Sequence, residues 1–300
     1  MSFRPKILLI RQLALGDVLL ITPILKQIYV DHAGDCEIDV MTMKPEAFDN
    51  NPYVNEIISP TQYLENRKNY HKTINLDLAY ESHPDMHILD AYAKYSHGSI
   101  EKILDKQIGI FPSQTDTNNI LQFINFTIAK DYLVIHMRRD TWPSRNLPET
   151  TWLAIVDSLL ETTDLHIVQV GSAHEISFNH SPRLINCLSK LSLTELKLLI
   201  ENAKCYVGID SGTLHVAAST QTPIVSVFTS AHHQFREPLG RKKDAKFIPI
   251  APDLPCYGCQ SRLPPPITGV ICSVGDPYSP PCKDRISVAE ITNAVIQAMD

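Results

Sequence analysis

The sequence is poor in glycine and in positive charge, and it lacks any long apolar run. Only 11 of its 300 residues are glycine and they follow no repeat, which excludes a collagen-like fibre. The formal net charge is -6, which disfavours a strongly basic nucleic-acid-binding protein but leaves room for a local basic face. No segment approaches the roughly 18 consecutive apolar residues that a membrane span requires.

The beginning of the chain also lacks the pattern of a signal peptide. Its first apolar run, residues 7–10, is much shorter than the hydrophobic region of such a peptide. We therefore expect a cytoplasmic protein that is at most peripheral to a membrane. Hydrophobic residues make up 44% of the chain, which excludes intrinsic disorder and is enough for two domain cores.

Short β-branched runs alternate with helical patterns along the chain. The predicted strands are 6–11, 36–42, 57–58, 71–79, 133–136, 165–170, 205–209 and 223–228. The predicted helices are 18–31, 149–161, 192–202, 214–219 and 286–299, with Ser192 and Glu195 forming a capping box. Pro23 lies either in the first turns of the helix 18–31 or at a kink in it. The stretch 81–114 gives no clear pattern.

Two successive β/α series predict an α/β protein with two doubly wound parallel-sheet domains, residues 1–128 and 129–300. Ligands of such sheets bind beyond the carboxyl ends of the strands. We therefore expect the loops 11–17, 136–146, 171–175 and 210–215 to face one cleft.

The first chemical motif, Arg11-Gln-Leu-Ala-Leu-Gly16-Asp17, lies between a strand and a helix. Gly16 can adopt a positive φ or allow close backbone approach. Asp17 could deprotonate a hydroxyl of a substrate. Equally, Asp17 could be the N-cap of the helix. The motif matches neither the Gly-x-Gly-x-x-Gly pattern nor a P-loop, so nicotinamide enzymes and P-loop NTPases lose support.

The second motif, Gly208-Ile-Asp210-Ser211-Gly212-Thr213-Leu-His215, joins a strand to a helix. Its free amides and hydroxyls predict an anion site suited to a diphosphate. The alternative is an ordinary turn in which Ser211 or Thr213 caps the helix. His215 is either a ligand contact or a core histidine.

Three arginines, Arg138, Arg139 and Arg145, cluster after one strand of an otherwise acidic protein. Their planar donors suit phosphate oxygens, although solvated arginines paired with nearby carboxylates would give the same pattern. No Asp-x-Asp motif occurs anywhere in the sequence. An enzyme without that metal-holding motif must neutralise a leaving diphosphate with amides and arginines.

Four of the seven cysteines, Cys256, Cys259, Cys272 and Cys282, fall within the last 45 residues. Four thiolates with this spacing predict a tetrahedral site for zinc or iron. Two disulfides or four unlinked thiols remain alternatives. The other three, Cys36, Cys187 and Cys205, have the pattern of small buried apolar residues.

Together and in this order, these features resemble the heptosyltransferase family of glycosyltransferases. The resemblance runs through residues 6–60 and 133–240. Its marks are Lys-Ile-Leu-Leu-Ile-Arg before Gly16-Asp17-Val and Thr22-Pro23, the phrase Asn51-Pro52-Tyr-Val-Asn-Glu-Ile-Ile, the arginine loop ending Leu147-Pro148-Glu-Thr-Thr-Trp152, and Asp210-Ser-Gly-Thr213-Leu-His215-Val-Ala-Ala. The loop 228–240, with His232 and His233, departs from the Gly-Pro-Thr-Asp pattern usual in the family.

The resemblance implies a GT-B fold, in which two Rossmann-like domains hold a nucleotide sugar, mainly through the second domain. By position, Asp17 matches the proposed general base, and residues 210–213 with His215 match the sugar-nucleotide loop. Arg145 falls where the family often has a phosphate-binding lysine, which keeps the charge but changes its geometry. The predicted donor-binding residues are Gly16, Arg138, Arg145, Asp210, Ser211, Gly212, Thr213 and His215.

The resemblance also bears on the cysteines. Some protein-modifying members of the family carry a comparable four-cysteine finger that binds iron. The predicted fold therefore includes a small cysteine-rich metal finger, residues 252–285, before the closing helix 286–299. Its zinc or iron ion would be structural, and the chemistry of transfer would need no divalent metal.

The predicted function is that of an inverting glycosyltransferase that uses a nucleotide-diphosphate sugar. A heptose-like sugar would pass to a hydroxyl of a glycan, a protein or a modified nucleobase, with Asp17 as the base. One alternative is a non-catalytic sugar-nucleotide sensor in which Asp17 only caps its helix. Another is a nucleic-acid-associated protein that uses the finger, whose only basic residues between 256 and 285 are Arg262, Lys283 and Arg285.

Overall fold

The computed structural model describes residues 4–137, 143–259, 272, 274–275 and 280–300. The chain divides into two compact units, residues 1–111 and 112–300, and each is built around a parallel sheet. The structure thus has the predicted α/β class with two parallel sheets. The division lies earlier than residue 128, because the helix Gln114–Phe123 packs on the helix Leu193–Glu201 of the second unit.

The first unit has one sheet with strand order β3-β2-β1-β4, in which every pairing is parallel. Its elements are β1 Lys6–Ile10, α1 Leu15–Leu19, α2 Thr22–Asp31, β2 Glu37–Met41, β3 Glu56–Ile58, α3 Pro60–Asn66, β4 Lys72–Asn75 and α4 Ile88–His97. Strand β1 lies between β2 and β4, and its almost continuous apolar run is typical of a parallel strand that is buried on both faces. Its residues 7–10 are at most 3% exposed.

The predicted helical stretch 18–31 forms two helices, and Pro23 lies in the first turn of the second, which is one of the two expected places. Helix α1 ends at Leu19 and α2 begins at Thr22, with Pro23 in its first turn. Proline has no amide hydrogen to donate and its ring clashes with the carbonyl four residues before it, so one continuous helix is disfavoured. Within 81–114, helix α4 starts after the N-cap His87 and ends at His97, followed by the C-cap Gly98, whose φ is 91°.

The second unit has a larger sheet with strand order β10-β9-β8-β5-β6-β7, again with parallel pairings. Its elements are α5 Gln114–Phe123, β5 Tyr132–His136, α6 Glu149–Thr162, β6 His166–Gln169, β7 Leu184–Asn186, α7 Leu193–Glu201, β8 Cys205–Ile209, α8 Gly212–Ala218, β9 Ile224–Val227, β10 Phe247–Ile250 and α9 Val288–Met299. The sequence analysis missed α5, β7 and β10. The core includes Trp152, Ile155 and Val295, contributed by α6 and α9.

The predicted capping box at the start of α7 is confirmed. The Ser192 hydroxyl accepts a hydrogen bond from the Glu195 amide at 3.2 Å, and the Glu195 carboxylate accepts one from the Ser192 amide at 2.9 Å. Helix α8 begins at Gly212 rather than at the predicted Leu214. Gly212 and Thr213 therefore lie in the first turn of α8, directly beyond the carboxyl end of β8.

No helix in the described part of the chain combines the length and the apolar character needed to cross a bilayer.

Candidate active site

In the first unit, Asp17 lies in the first turn of α1, just beyond the carboxyl end of β1. The N-cap of α1 is Ala14, so the alternative in which Asp17 caps this helix is wrong. Gly16 is helical and buried, and its φ is not positive. The carboxylate of Asp17 is consequently available for contacts with other side chains.

Two side chains bind one oxygen of the Asp17 carboxylate. Nη2 of Arg11 donates to Oδ2 of Asp17 at 2.8 Å, and the Tyr80 hydroxyl donates to the same oxygen at 3.3 Å. Oδ1 has no hydrogen-bond partner among the described residues, and the Asp17 side chain is 15% exposed. One oxygen is thus anchored while the other can accept a proton.

Arg11 is itself held in a buried aromatic and acidic environment. Its side chain is 5% exposed, and its guanidinium carbon lies 5.2 Å from the Tyr80 ring centre and 5.7 Å from that of Tyr92. The same Nη2 also lies 3.4 Å from Oε1 of Glu81. Burial lowers the pKa of Arg11, but Tyr92, Asp17 and Glu81 more than offset it, so the net pKa is raised and the guanidinium stays charged.

The sequence analysis assigned no role to Arg11, Tyr80 or Glu81. A signal for Arg11 did exist, because a charged residue directly after a buried apolar strand needs a partner. Its partners Tyr80 and Glu81 come much later in the chain, and no local pattern connects them to β1.

In the second unit, the loops after three adjacent strands meet at one edge of the sheet, as expected for the carboxyl ends of parallel strands. Nη1 of Arg145, after β5, lies 2.7 Å from Oδ2 of Asp210, after β8. Nδ1 of His136, the last residue of β5, lies 3.2 Å from the Ser211 hydroxyl. These contacts bring Arg145, Asp210 and Ser211 together at this edge.

The pairing of Arg145 differs from the solvated arrangement considered for the arginine loop. The Arg145 and Asp210 side chains are 6% and 3% exposed, so both charges are buried. Arg145 therefore anchors the loop at 210–213 whether or not it also reaches a ligand. Arg138 lies outside the described residues.

The strand-to-helix turn at Ser211 is not an ordinary capped turn. Ser211 occupies the N-cap position of α8, but its side chain makes no capping hydrogen bond and contacts His136 instead. Thr213 lies within the helix and is half-buried, so it does not cap α8 either. His215 is in the last turn of α8 and is 5% exposed.

The loop after β6 supplies another carboxylate to this edge. Oε1 of Glu175 lies 3.9 Å from Nε2 of His136 and accepts a hydrogen bond from the Ser172 amide at 2.8 Å. Gly171 has a φ of 147°, and a Cβ atom there would collide with the Glu175 carboxylate. Only glycine allows this close approach, and the sequence analysis did not identify Glu175.

The described residues do not show the predicted metal finger. All seven cysteines lie in the described part of the chain and none forms a disulfide. Within that part, no group of three or more His, Cys, Asp or Glu side chains is arranged to hold a metal ion. Burial, and after it the nearby thiols of Cys259, Cys272 and Cys256, together raise the pKa of Cys282 to about 11. The other three thiols thus lie near enough to Cys282 to act on it electrostatically.

Residues 63–265 match the family model described as glycosyltransferase family 9 (heptosyltransferase). The chain belongs to this family. Lipopolysaccharide heptosyltransferase 1 of Pseudomonas aeruginosa is 27% identical over 135 residues, which is 44% of this chain and 37% of that protein. Across the curated relatives, the matched regions span 14% to 37% of their own lengths.

Two solved structures relate the fold of this family 9 chain to known architectures. ADP-heptose lipopolysaccharide heptosyltransferase II of Escherichia coli superposes with a TM-score of 0.72 at 15% identity, covering 98% of each chain. The iron-containing dodecameric glycosyltransferase TibC of enterotoxigenic E. coli superposes with the same TM-score and identity, covering 98% of this chain and 76% of TibC. At this identity, the likeness establishes the GT-B heptosyltransferase fold alone.

Proposed function

We propose that this family 9 protein is an inverting glycosyltransferase that transfers a sugar from a nucleotide-diphosphate sugar to an acceptor hydroxyl. The observation that carries the proposal is the Asp17 carboxylate, which has Oδ2 bound by Arg11 and Tyr80 and Oδ1 without a partner among the described residues. A general base needs this combination of a fixed orientation and an open oxygen.

In the proposed reaction, Oδ1 of Asp17 accepts the proton of the acceptor hydroxyl while that oxygen attacks the anomeric carbon. The bond from the anomeric carbon to the diphosphate oxygen breaks, and the nucleoside diphosphate leaves with the electron pair. Attack from the opposite face inverts the configuration at that carbon.

The departing diphosphate is assigned to the second unit. Gly212 and Thr213 present the first amides of α8, and the hydroxyls of Ser211 and Thr213 can donate to phosphate oxygens. Arg145 holds Asp210 and so fixes the start of this loop. The proposed donor-binding set also retains Gly16, Arg138 and His215 from the family resemblance.

The donor is proposed to be a heptose-like nucleotide sugar. Solved neighbours of this fold are named for ADP-heptose, and TibC has been solved with ADP-D-β-D-heptose. The proposed acceptor is a hydroxyl of a glycan, a protein or a modified nucleobase, since each of these can present its oxygen to Asp17.

We also propose that Cys256, Cys259, Cys272 and Cys282 bind one structural zinc or iron ion. The cysteine spacing and the absence of a disulfide among these four described residues support this assignment, as does the iron-containing neighbour TibC. In the described residues, no three of these thiols are arranged around an ion. The ion would supply a cross-link in a segment with little apolar material.

A donor screen tests the proposed activity. Purified protein is incubated with ADP-heptose and with ADP-, GDP-, UDP- and TDP-hexoses, and release of the nucleoside diphosphate is measured with and without candidate acceptors. We expect turnover with at least one donor. Donor binding without hydrolysis or transfer across the whole set would contradict the proposal and favour a sugar-nucleotide sensor.

The variant Asp17→Asn tests the base. Because the amide keeps the shape of the side chain but cannot accept the proton, turnover should fall about 100-fold or more, with donor binding unchanged. Asp77→Asn is the matched control, since Asp77 lies at the same sheet edge and bonds the amide and side chain of Gln12 at 2.9 Å. Retained turnover in Asp17→Asn would remove Asp17 from the mechanism.

A further inference from the structure

Residues 232 and 233, where the sequence departs from the family pattern, pack on the cysteine-rich segment through an aromatic stack formed by His232, His233 and Tyr257. The ring centres of His232 and His233 lie 4.9 Å apart with an interplanar angle of 20°. The Tyr257 ring lies 4.7 Å from that of His232. Tyr257 stands between Cys256 and Cys259, so the stack joins this cysteine pair to the loop after β9.

The backbone beside Tyr257 approaches the stack closely. Gly258 has a φ of 76°, and a Cβ atom there would lie 3.0 Å from Cβ of His232. Both the left-handed conformation and the lack of space require glycine at this position. The Gly258 backbone therefore fits closely against the His232 side chain, in addition to the ring packing.

The Tyr257 hydroxyl makes two hydrogen bonds to one residue of the loop. It accepts from the backbone amide of His233 at 2.9 Å and lies 3.0 Å from Nδ1 of the same histidine. The amide can only donate, so the hydroxyl proton is left for Nδ1. Burial lowers the pKa of His233, which keeps the ring neutral and Nδ1 able to accept at pH 7.

From this loop, further contacts lead to the candidate diphosphate site. The Thr229 hydroxyl donates to the carbonyl oxygen of Ser144 at 2.6 Å, and the hydroxyls of Ser230 and Ser144 lie 3.1 Å apart. Ser144 precedes Arg145, which pairs with Asp210 at 2.7 Å. Strand β9 also pairs directly with β8, which carries Asp210 at its end.

We propose that Tyr257 is a positioning residue for diphosphate binding, acting through His233 and the loop 228–235 on Arg145 and Asp210. This inference rests on the proposed function, which places the diphosphate at residues 211–213. It assigns a role in donor binding to Tyr257, which lies between the two cysteines of the first pair. Both hydrogen bonds between Tyr257 and His233 use the Tyr257 hydroxyl. Removing that oxygen therefore tests the hydrogen bonds while the ring packing is kept.

The variant Tyr257→Phe keeps the ring and removes the hydroxyl. Its matched control is Tyr132→Phe, because the Tyr132 hydroxyl also makes a buried hydrogen bond, to the Leu199 carbonyl at 2.7 Å. Tyr132 is the first residue of β5, at the opposite end of the sheet from the site. Affinities for ADP, GDP, UDP and TDP are measured by calorimetry, with melting temperature and metal content recorded for each protein.

We expect Tyr257→Phe to lower the affinity for the preferred diphosphate about tenfold, as for a lost hydrogen bond, with Tyr132→Phe binding like the wild type. Unchanged affinity in Tyr257→Phe would overturn the inference, as would an equal loss in both variants. Thr213→Ala reports on the proposed function separately. If Thr213→Ala no longer binds the diphosphate while Tyr257→Phe still binds it, the proposed diphosphate site is supported and the positioning role of Tyr257 is contradicted.

Hydrogen exchange supplies a readout that needs no ligand. In Tyr257→Phe, backbone amides of residues 228–236 and 208–216 should exchange faster than in the wild type and in Tyr132→Phe. Faster exchange confined to residues 228–236 would show that the effect of the Tyr257 hydroxyl does not extend to residues 208–216, which would overturn the inference. The exchange experiment tests the positioning role even if the wild type binds none of the four diphosphates. That outcome would itself contradict the proposed function.

Discussion

Arg145 and Asp210 carry opposite charges in a place from which water is almost excluded. Their side chains are 6% and 3% exposed, and the charged atoms lie 2.7 Å apart. Removing one partner of a buried ion pair leaves the other charge without its compensation, which destabilises a protein by roughly 3–5 kcal/mol. We expect Arg145→Ala to lower the free energy of unfolding by about this amount, measured by urea denaturation, and to weaken diphosphate binding.

A double-mutant cycle separates the lost pair from the other contacts of these residues. Asp210→Asn removes the buried negative charge, so the double variant Arg145→Ala with Asp210→Asn should be more stable than Arg145→Ala alone. Strictly additive losses would contradict direct coupling. Arg145→Lys keeps the charge but loses the planar donor geometry, and an intermediate stability is expected for it.

At the scale of helices and strands, the elements with local signals are the ones that sequence reasoning predicted. Helix α7 carries its capping box within four residues, and the structure has both hydrogen bonds. Strands β7 and β10 were missed because each is three or four residues long and becomes a strand only by pairing with β6 or β9. Glu81 was not predicted for a similar reason, because its partner Arg11 is distant in the sequence and no local pattern connects the two.

Helix α4 contributes a pH-dependent element to the first unit. His97 in its last turn has a side chain that is 7% exposed, and burial lowers its pKa from the usual 6.5, partly countered by Asp31 at 3.4 Å. The unfolded chain therefore takes up this proton more readily than the folded one. The contribution of His97 to the free energy of unfolding is therefore complete above about pH 6.5 and is lost as the pH falls below that value.

The variant His97→Gln should abolish this part of the pH dependence. The free energy of unfolding is measured by urea at about pH 7.5 and pH 5.5, and the loss between the two should be smaller in His97→Gln than in the wild type. The exposed His174 provides the control variant His174→Gln, for which we expect the wild-type loss. An equal loss in all three proteins would show that His97 does not titrate differently on folding.

At the scale of the whole molecule, the order of the motifs identified the family, although each motif alone also fits an ordinary capped or solvated loop. The order of the motifs is informative because it follows two successive β/α series. The structure has one parallel sheet for each series along the chain. The contact between Tyr257 and His233 could not be predicted in this way. Both residues lie outside the α-helices and β-strands. No periodic pattern of apolar residues therefore predicts where their side chains lie.

The proposed metal site at Cys256, Cys259, Cys272 and Cys282 predicts the metal content of the purified protein. Four thiolates bound to one ion contribute folding free energy directly. Elemental analysis of protein purified without added metal should therefore find about one transition-metal ion per chain. Visible absorbance from thiolate-to-iron charge transfer would indicate iron, since zinc is colourless.

The variant Cys259→Ser should lower both the metal content and the melting temperature, because one of the four ligands and its share of the cross-link are lost. Cys187→Ser is the control, since Cys187 is a buried thiol of the same unit outside residues 252–285, and its metal content should match the wild type. Metal-free wild-type protein whose clustered cysteines are paired in non-reducing mass spectrometry would overturn the metal assignment. In that case, disulfides would restrain the segment in place of the ion, and a reductant rather than a chelator would destabilise it.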